Sequence, residues 1–279
     1  MPKPTPQPKA RLSYSKISCF QKCRREYYWR YIENLAPMQK ADYFQIGIIV
    51  HELRERWIKN ELELSDITLL QEEIRTRFPS NDPEVTDHVA LEAARLFVGY
   101  VREMETSPYT LISPELTLEY DTGEFLLYAR IDALARDDHG NVLRDELKTT
   151  SRMDSAYLTG LSKGLQTGIT LWLLEEIMPD QKIKGSLFEI IVKTKIPQYA
   201  RQPVMKNPFT ITYTKECVYG VWESIKRCGS DKQNFYPSMQ CAYGRYTCAY
   251  ESLCQNDTPA RRKALFVPYY PEAKGGEKK

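Results

Sequence analysis

Two residue runs on either side of a short turn constrain this chain more than any other feature. Phe125 to Arg136 and Val142 to Thr150 read as strands, and Asp137-Asp138-His139-Gly140-Asn141 between them has the composition of a reversal. Pairing that is symmetric about His139 sets residues equidistant from it opposite each other, so Asp132 faces Glu146. Side chains alternate along a strand, so Glu146 and Lys148 share a face. Two facing carboxylates repel unless a cation lies between them. The stretch therefore reads as a divalent-metal site with a lysine beside it. The plainer alternative is a solvated hairpin carrying a surface Glu-Lys pair, the usual place for strand charges. The apolar neighbours Phe125-Leu126-Leu127-Tyr128, Ala133-Leu134-Ala135, Val142-Leu143 and Leu147 weigh against it.

The rest of the chain can support such a site. Its 279 residues allow one large domain or two smaller ones, and 42% hydrophobic content is that of a globular protein. A net charge of +2 gives no global basic signature, so nucleic-acid contact would need a local patch. No apolar run is long enough to span a bilayer, and the proline-rich lead-in Met1 to Lys9 has no apolar core, so a cytoplasmic location is expected. Seven cysteines, an odd number, argue against a disulfide framework.

The hydrophobic pattern predicts helices over Ser13 to Ile32, Gln45 to Asn60, Ile67 to Arg77 and Pro83 to Met104. An antiparallel meander follows: Tyr109 to Tyr120, Phe125 to Arg136 and Val142 to Thr150. Then come a helix over Ser155 to Met178, strands over Ser186 to Lys193 and Phe209 to Tyr213, and a helix over Lys215 to Cys228. Helices, antiparallel strands, helix and strand in that order imply an α/β fold with a mixed sheet.

Two more constellations stand out. A lone histidine is more often a hydrogen-bonded core or surface residue than a ligand. His51, however, follows Gly47 by one helical turn, and a glycine there lets another element approach closely. Neutral imidazole is a good ligand beside carboxylates, so His51 could join Asp132 and Glu146. Cys241, Cys248 and Cys254 crowd one segment, and a soft site favours four thiolates. Cys23 is the best fourth candidate; Cys217 and Cys228 are alternatives. Zinc held by four cysteines is also common, but the spacing lacks the two tight C-x2-C pairs of zinc ribbons and favours an iron-sulfur cluster. Arg24-Arg25 and Tyr27-Tyr28-Trp29-Arg30-Tyr31 mix cations with rings, as single-strand binders do, though some of these rings are expected in the core.

Together these motifs resemble the RecB-like branch of the PD-(D/E)xK nuclease superfamily, in particular its iron-sulfur exonucleases, which include CRISPR-associated adaptation nucleases, the AddB nuclease domain and phage-encoded nucleases. Leu12 to Ile17 with Cys23-Arg24-Arg25-Glu26-Tyr27-Tyr28 matches the family's start. Gly47 to Glu52 matches its histidine motif, Arg130-Ile131-Asp132-Ala133 and Glu146-Leu147-Lys148-Thr149 its acid and (D/E)-x-K elements, Gln166-Thr167-Gly168 its glutamine motif, and the three late cysteines its C-terminal trio. Thr170 stands where a tyrosine is usual.

The resemblance implies a restriction-endonuclease-like core, a mixed sheet flanked by helices, with an N-terminal helical region and a C-terminal cysteine segment. The expected organisation is a flexible residue 1–11 stretch, a helical region 12–108, a nuclease core 109–230, a cysteine segment 231–258 and a polar tail 259–279. It implies Mg²⁺ or Mn²⁺ on His51, Asp132, Glu146 and the Leu147 carbonyl, with Lys148 and Gln166 completing the catalytic set. It also implies a [4Fe-4S] cluster on Cys23, Cys241, Cys248 and Cys254, with zinc as the alternative. Arg24, Arg25, Tyr28, Arg30 and Arg152 would contact single-stranded DNA. The expected activity is exonucleolytic DNA cleavage, beside a helicase or a recombination or adaptation partner; the alternative is a catalytically silent DNA-binding subunit of such a complex.

Overall fold

The computed structural model describes residues 9–38, 43–64, 66–79, 82–239, 241 and 248–269. The lead-in through Pro8, part of the loop expected over 79–83, and the tail from residue 270 lie outside the described residues. The chain divides into two compact units. One comprises Met1–Arg11 and Ala41–Thr214; the other comprises Leu12–Lys40 and Lys215–Lys279.

The first unit is built on a five-stranded mixed sheet. Its strands are β1 (Thr110–Ser113), β4 (Ala133–Arg136), β5 (Val142–Thr150), β6 (Ile183–Val192) and β7 (Gln198–Met205), in that spatial order. The β5–β6 pairing is parallel and the rest antiparallel. A separate hairpin is formed by β2 (Leu116–Asp121) and β3 (Leu126–Ile131). The expected three-strand meander is thus divided between two sheets. The first expected strand breaks at Pro114, which has no N–H for a ladder, and the second breaks at Asp132, where the chain passes from one sheet to the other.

The hairpin register is the symmetric one: Ala133 faces Asp145, Leu134 faces Arg144, Ala135 faces Leu143 and Arg136 faces Val142. The turn sets it. Gly140 takes φ 77°, open to glycine without cost, and the Asp137 carboxylate accepts from the N–H groups of His139 at 3.0 Å and Asn141 at 2.8 Å.

Helices cover both sheet faces. On one, α1 (Tyr43–Ile58), α2 (Ile67–Arg77) and α3 (Pro83–Met104) bury Ile49, Val50, Leu53, Ile74 and Phe97 with Leu147 and Ile191 of the sheet. Asp66 and Asp82 cap α2 and α3 through their carboxylates, and Pro83 opens α3, which is why both helices start where the sequence predicts. On the other face α4 (Ser155–Lys163) lays Tyr157, Leu158 and Leu161 on Phe188, Ile190 and Val192. The helix α5 (Leu165–Ile177) is buried continuously from Thr167 to Leu174.

Two further expectations need correction. The helix over Ser155 to Met178 is two helices, because Gly164 adopts ψ 139° between α4 and α5. Phe209 to Tyr213 is not a strand but the start of α6 (Pro208–Cys228), where Asn207 Oδ1 accepts from the Phe209 N–H at 2.9 Å. The last strand is instead β7, whose mixed polar composition hid it.

In the second unit, the helix expected over Ser13 to Ile32 is interrupted. Tyr14–Lys22 ends at Cys23, which turns to φ −158°; Arg24–Tyr27 and a π-helical turn over Tyr28–Ile32 follow. Tyr27 and Phe235 stack in its core, centroids 6.2 Å apart and near parallel, and Phe20 meets both rings edge-on. Leu35–Pro37 pairs antiparallel with Phe266–Pro268.

Candidate active site

Asp132 lies in the bend between β3 and β4, past the last β4–β5 pair. At that point β5 continues without a β4 neighbour, and its free Leu147 N–H donates to Asp132 Oδ2 at 2.9 Å. A carboxylate thus takes the place of a ladder acceptor. The same Oδ2 lies 3.3 Å from His51 Nδ1 on α1. Gly47, one turn earlier on α1, permits this approach: a Cβ there would lie 2.9 Å from Thr149 Oγ1 on β5. Burial alone would raise the Asp132 pKa, but His51, the Arg54 guanidinium and the Leu147 N–H together hold it well below the usual carboxylate range. Asp132 is ionised at neutral pH.

Alternation along β5 sorts its charges. Asp145, Leu147 and Thr149 face α1 and α3, whereas Arg144, Glu146 and Lys148 face the layer of α4 and α5. Glu146 is 5% exposed and forms ion pairs with Arg144 and Lys148. Lys148 Nζ also donates to Gln166 Oε1, on the first turn of α5, at 3.4 Å. Thr170 is buried and its hydroxyl donates to the Gln166 carbonyl at 3.0 Å. Gly168 lets α5 meet Thr214, whose hydroxyl occupies the space a Cβ would take.

The structure therefore joins His51 to Asp132, and Glu146 to Lys148 and Gln166, at the unpaired end of one strand. Imidazole, carboxylate and backbone carbonyl oxygen are donor types that hard divalent ions accept. Among the described residues, the one triplet of acid, histidine or cysteine ligand atoms within 4.8 Å of each other is Asp137, Asp138 and His139. That triplet sits on the exposed turn, where Asp137 is committed to its own loop N–H groups. In the larger set Glu146 turns toward its two cationic neighbours instead.

Sequence reasoning missed the polar layer beneath the site. Arg54 is 1% exposed; its Nε donates to the Tyr100 hydroxyl at 2.8 Å and its guanidinium pairs with Asp145. Arg144 is equally buried, donating to Ser186 Oγ at 3.3 Å with its guanidinium 5.4 Å from the Phe188 ring. The signal was present: Arg54 is one turn beyond His51 on the same helix, and Asp145 precedes Glu146 on the alternate face.

The cysteines lie in the second unit. Cys23 Sγ accepts from the Ser238 N–H at 3.4 Å and the Glu26 N–H at 3.5 Å. Burial pushes the Cys241 thiol up, and its neighbours Cys23 and Cys254 add to the shift. Cys248 is raised by burial and again by Cys23 and Cys254. Cys23 and Cys254 thus act on both Cys241 and Cys248. Cys217 and Cys228 are free thiols on α6, and Cys228 is buried, giving its hydrogen to the Asn234 carbonyl at 3.4 Å.

Of the residues expected to touch nucleic acid, Arg152 is well exposed. Arg24 is half-buried, Arg25 donates to the Phe235 carbonyl at 2.5 Å, and Arg30 lies over the Tyr31 and Tyr269 rings. Tyr28 is 8% exposed and bonds Glu33 at 2.7 Å, so its ring is part of the core. Glu115 and Glu119 pair with Arg130 and Arg11. No helix among the described residues is long and apolar enough to cross a membrane.

Comparison with known proteins gives the family. The family model of the PD-(D/E)XK nuclease superfamily matches residues 11–255. No curated protein matches the sequence. Among solved structures, a protein from Eubacterium rectale provisionally named an exonuclease shares the fold, with a TM-score of 0.54 at 11% identity over 85% of this chain and 89% of that one. The structure of SSO0001 aligns at 17% identity over 66% of this chain and 94% of that one, with a TM-score of 0.29, too low to bear on the fold. A family match across most of the sequence leads to one conclusion: the chain belongs to the PD-(D/E)XK nuclease superfamily.

Proposed function

We propose that the protein is a Mg²⁺- or Mn²⁺-dependent deoxyribonuclease that hydrolyses phosphodiester bonds at single-stranded DNA ends. The observation carrying this reading is the His51–Asp132 contact at the unpaired end of β5, beside Glu146, Lys148 and Gln166. His51, Asp132, Glu146 and the Leu147 carbonyl would hold the ion. When bound, such an ion supplies Lewis acidity and lowers the pKa of a coordinated water. The chain does the rest. Asp132 is fixed in its ionised form by His51, Arg54 and a backbone N–H. Lys148, steadied between Glu146 and Gln166, orients the attacking water and offsets charge building on the phosphate.

Cys23, Cys241, Cys248 and Cys254 would carry a structural [4Fe-4S] cluster in the second unit. The two N–H groups aimed at Cys23 Sγ, a common setting for a ligating sulfur, support this, as does the influence of Cys23 and Cys254 on both Cys241 and Cys248. Brown colour in anaerobically purified protein, lost in Cys248→Ser, is the expected result; a colourless protein carrying one zinc would replace the cluster with the alternative metal.

The test of the activity is cleavage of end-labelled linear strands, single and double, and of circular single strands, in Mg²⁺, Mn²⁺ or EDTA. The proposal expects metal-dependent loss of linear single strands with circles spared. Cleavage in EDTA, or preference for RNA in the same assay, would contradict it. One observation favours the alternative of a silent DNA-binding subunit: Arg144 already pairs with Glu146, a proposed metal ligand. Such a subunit would serve a helicase or a recombination or adaptation partner and would bind strands without cutting them.

A further inference from the structure

The second unit carries two adjoining cavities of about 440 and 460 Å³, within the size range of ligand sites. They share Arg24, Ser224 and Tyr236 and run along one face of α6, past Cys217, Gly220, Ser224 and Arg227. Among the described residues that line them there is no aspartate or glutamate.

The two arginines of this groove have no carboxylate partner among the described residues, unlike many arginines elsewhere. Arg75, Arg77, Arg95 and Arg262 are each ion-paired to carboxylates. Arg24 instead lies 4.9 Å from the Phe20 ring centroid and 4.6 Å from that of Tyr236, and its polar contact is Cys228 Sγ at 4.0 Å, a weak acceptor. Stacking on rings engages the faces of a guanidinium and leaves its in-plane N–H donors for a bidentate acceptor such as phosphate. Arg227 donates to Ser224 Oγ at 3.4 Å, a neutral partner. The third cation, Lys22, is shared with Glu26 at 3.0 Å. Tyr236 is 55% exposed and Met239 81% exposed, so the groove offers a ring and a soft thioether to a flat apolar ligand.

Guanidinium groups with no carboxylate partner among the described residues, beside an exposed aromatic ring, fit an anion that carries flat rings. We propose that this groove binds a segment of single-stranded DNA: Arg24 and Arg227 hold successive phosphates, and Tyr236 stacks a base. Bases in a duplex present no free face to such a ring, whereas each base of a single strand does. The proposal deepens the nuclease reading and rests on it for the choice of DNA. It adds Arg227 and Tyr236 as contacts and removes Tyr28.

Binding is measured in EDTA with the full chain carrying Lys148→Ala, by fluorescence anisotropy of a short oligothymidine strand, its duplex, and thymidine monophosphate as competitor. Three changes probe the groove. Tyr236→Leu should weaken strand binding by about five- to a hundredfold, the range for one stacked base. Arg227→Ala should lower the slope of log affinity against log salt by about 0.7, one phosphate contact on a single strand. Gly220→Phe sends a ring into the groove from a position where a Cβ meets nothing within 4 Å. It should abolish tight binding while the melting temperature holds or rises. Arg75→Ala, on the other unit, is the control and should change nothing. Unchanged affinity and slope in all three groove variants, with native circular dichroism, overturns the groove. Monophosphate binding as tight as the strand overturns it as a strand site and makes it a nucleotide pocket. Separate cleavage assays use the chain without Lys148→Ala: groove-dependent binding with no cleavage there upholds the groove and defeats the nuclease reading, and cleavage with groove-independent binding does the reverse.

Discussion

Single side chains in the first unit carry charge into places where charge is costly. Arg144, Arg54, Asp145 and Glu189 are each 3% exposed or less. Removing one partner of a buried pair strands the other, at about 3–5 kcal/mol. Arg144→Leu should therefore destabilise by that order, with Arg144→Lys recovering part, measured by urea unfolding; a loss below about 1 kcal/mol would mean Glu146 does not depend on Arg144. Glu189 makes a pH prediction. Burial, and then the nearby Asp145, push its carboxyl up to about 7 despite Arg201 at 3.2 Å. Its folded pKa is raised, so its contribution to stability is complete below about pH 4.5 and is lost as pH climbs toward 7. Glu189→Gln should flatten the fall in stability between pH 5 and 8, a fall of at most about 3 kcal/mol from this group. An unchanged slope would place the titration elsewhere.

Elements were legible where their ends carry chemistry. Asp66, Asp82 and Pro83 mark α2 and α3, and the Asp137–Asn141 turn fixes the β4–β5 register on which Asp132 and Glu146 depend. Reading failed where the signal is long-range. The chain switches sheets at Asp132, which no local pattern announces. β7 pairs through backbone with β6, and its side chains, none of them fully buried, give little hydrophobic rhythm. The buried cations were missed because charge is expected outside. Close approaches are equally invisible in one sequence. Gly168 is needed for the contact of α5 with Thr214, and that contact helps seat the helix carrying Gln166. Gly168→Ala should cost about 1–3 kcal/mol by overpacking, and Thr214→Ala in the same chain should recover most of it. An additive double mutant would show that the two positions do not share the space.

At the scale of the molecule, the two units divide the chemistry. The proposed hydrolytic residues belong to Ala41–Thr214, and the thiols and groove to Leu12–Lys40 with Lys215–Lys279. Sequence order does not reveal that the second unit is assembled from both ends of the chain, although Cys23 read with the late trio pointed to it. If a cluster ties those ends together, stripping it with chelator and oxidant should make the 12–40 and 215–269 segments sensitive to protease while 41–214 stays protected. Equal sensitivity of all segments would contradict a role confined to the second unit. The central claim is hydrolysis at the strand-end notch, and the most direct test is Mn²⁺-dependent release of nucleotides from an end-labelled single strand by the native protein and Lys148→Ala, side by side. The native protein should cleave, and the variant should lose about a hundredfold or more in rate while its strand binding persists. Equal rates in the two proteins would contradict the claim.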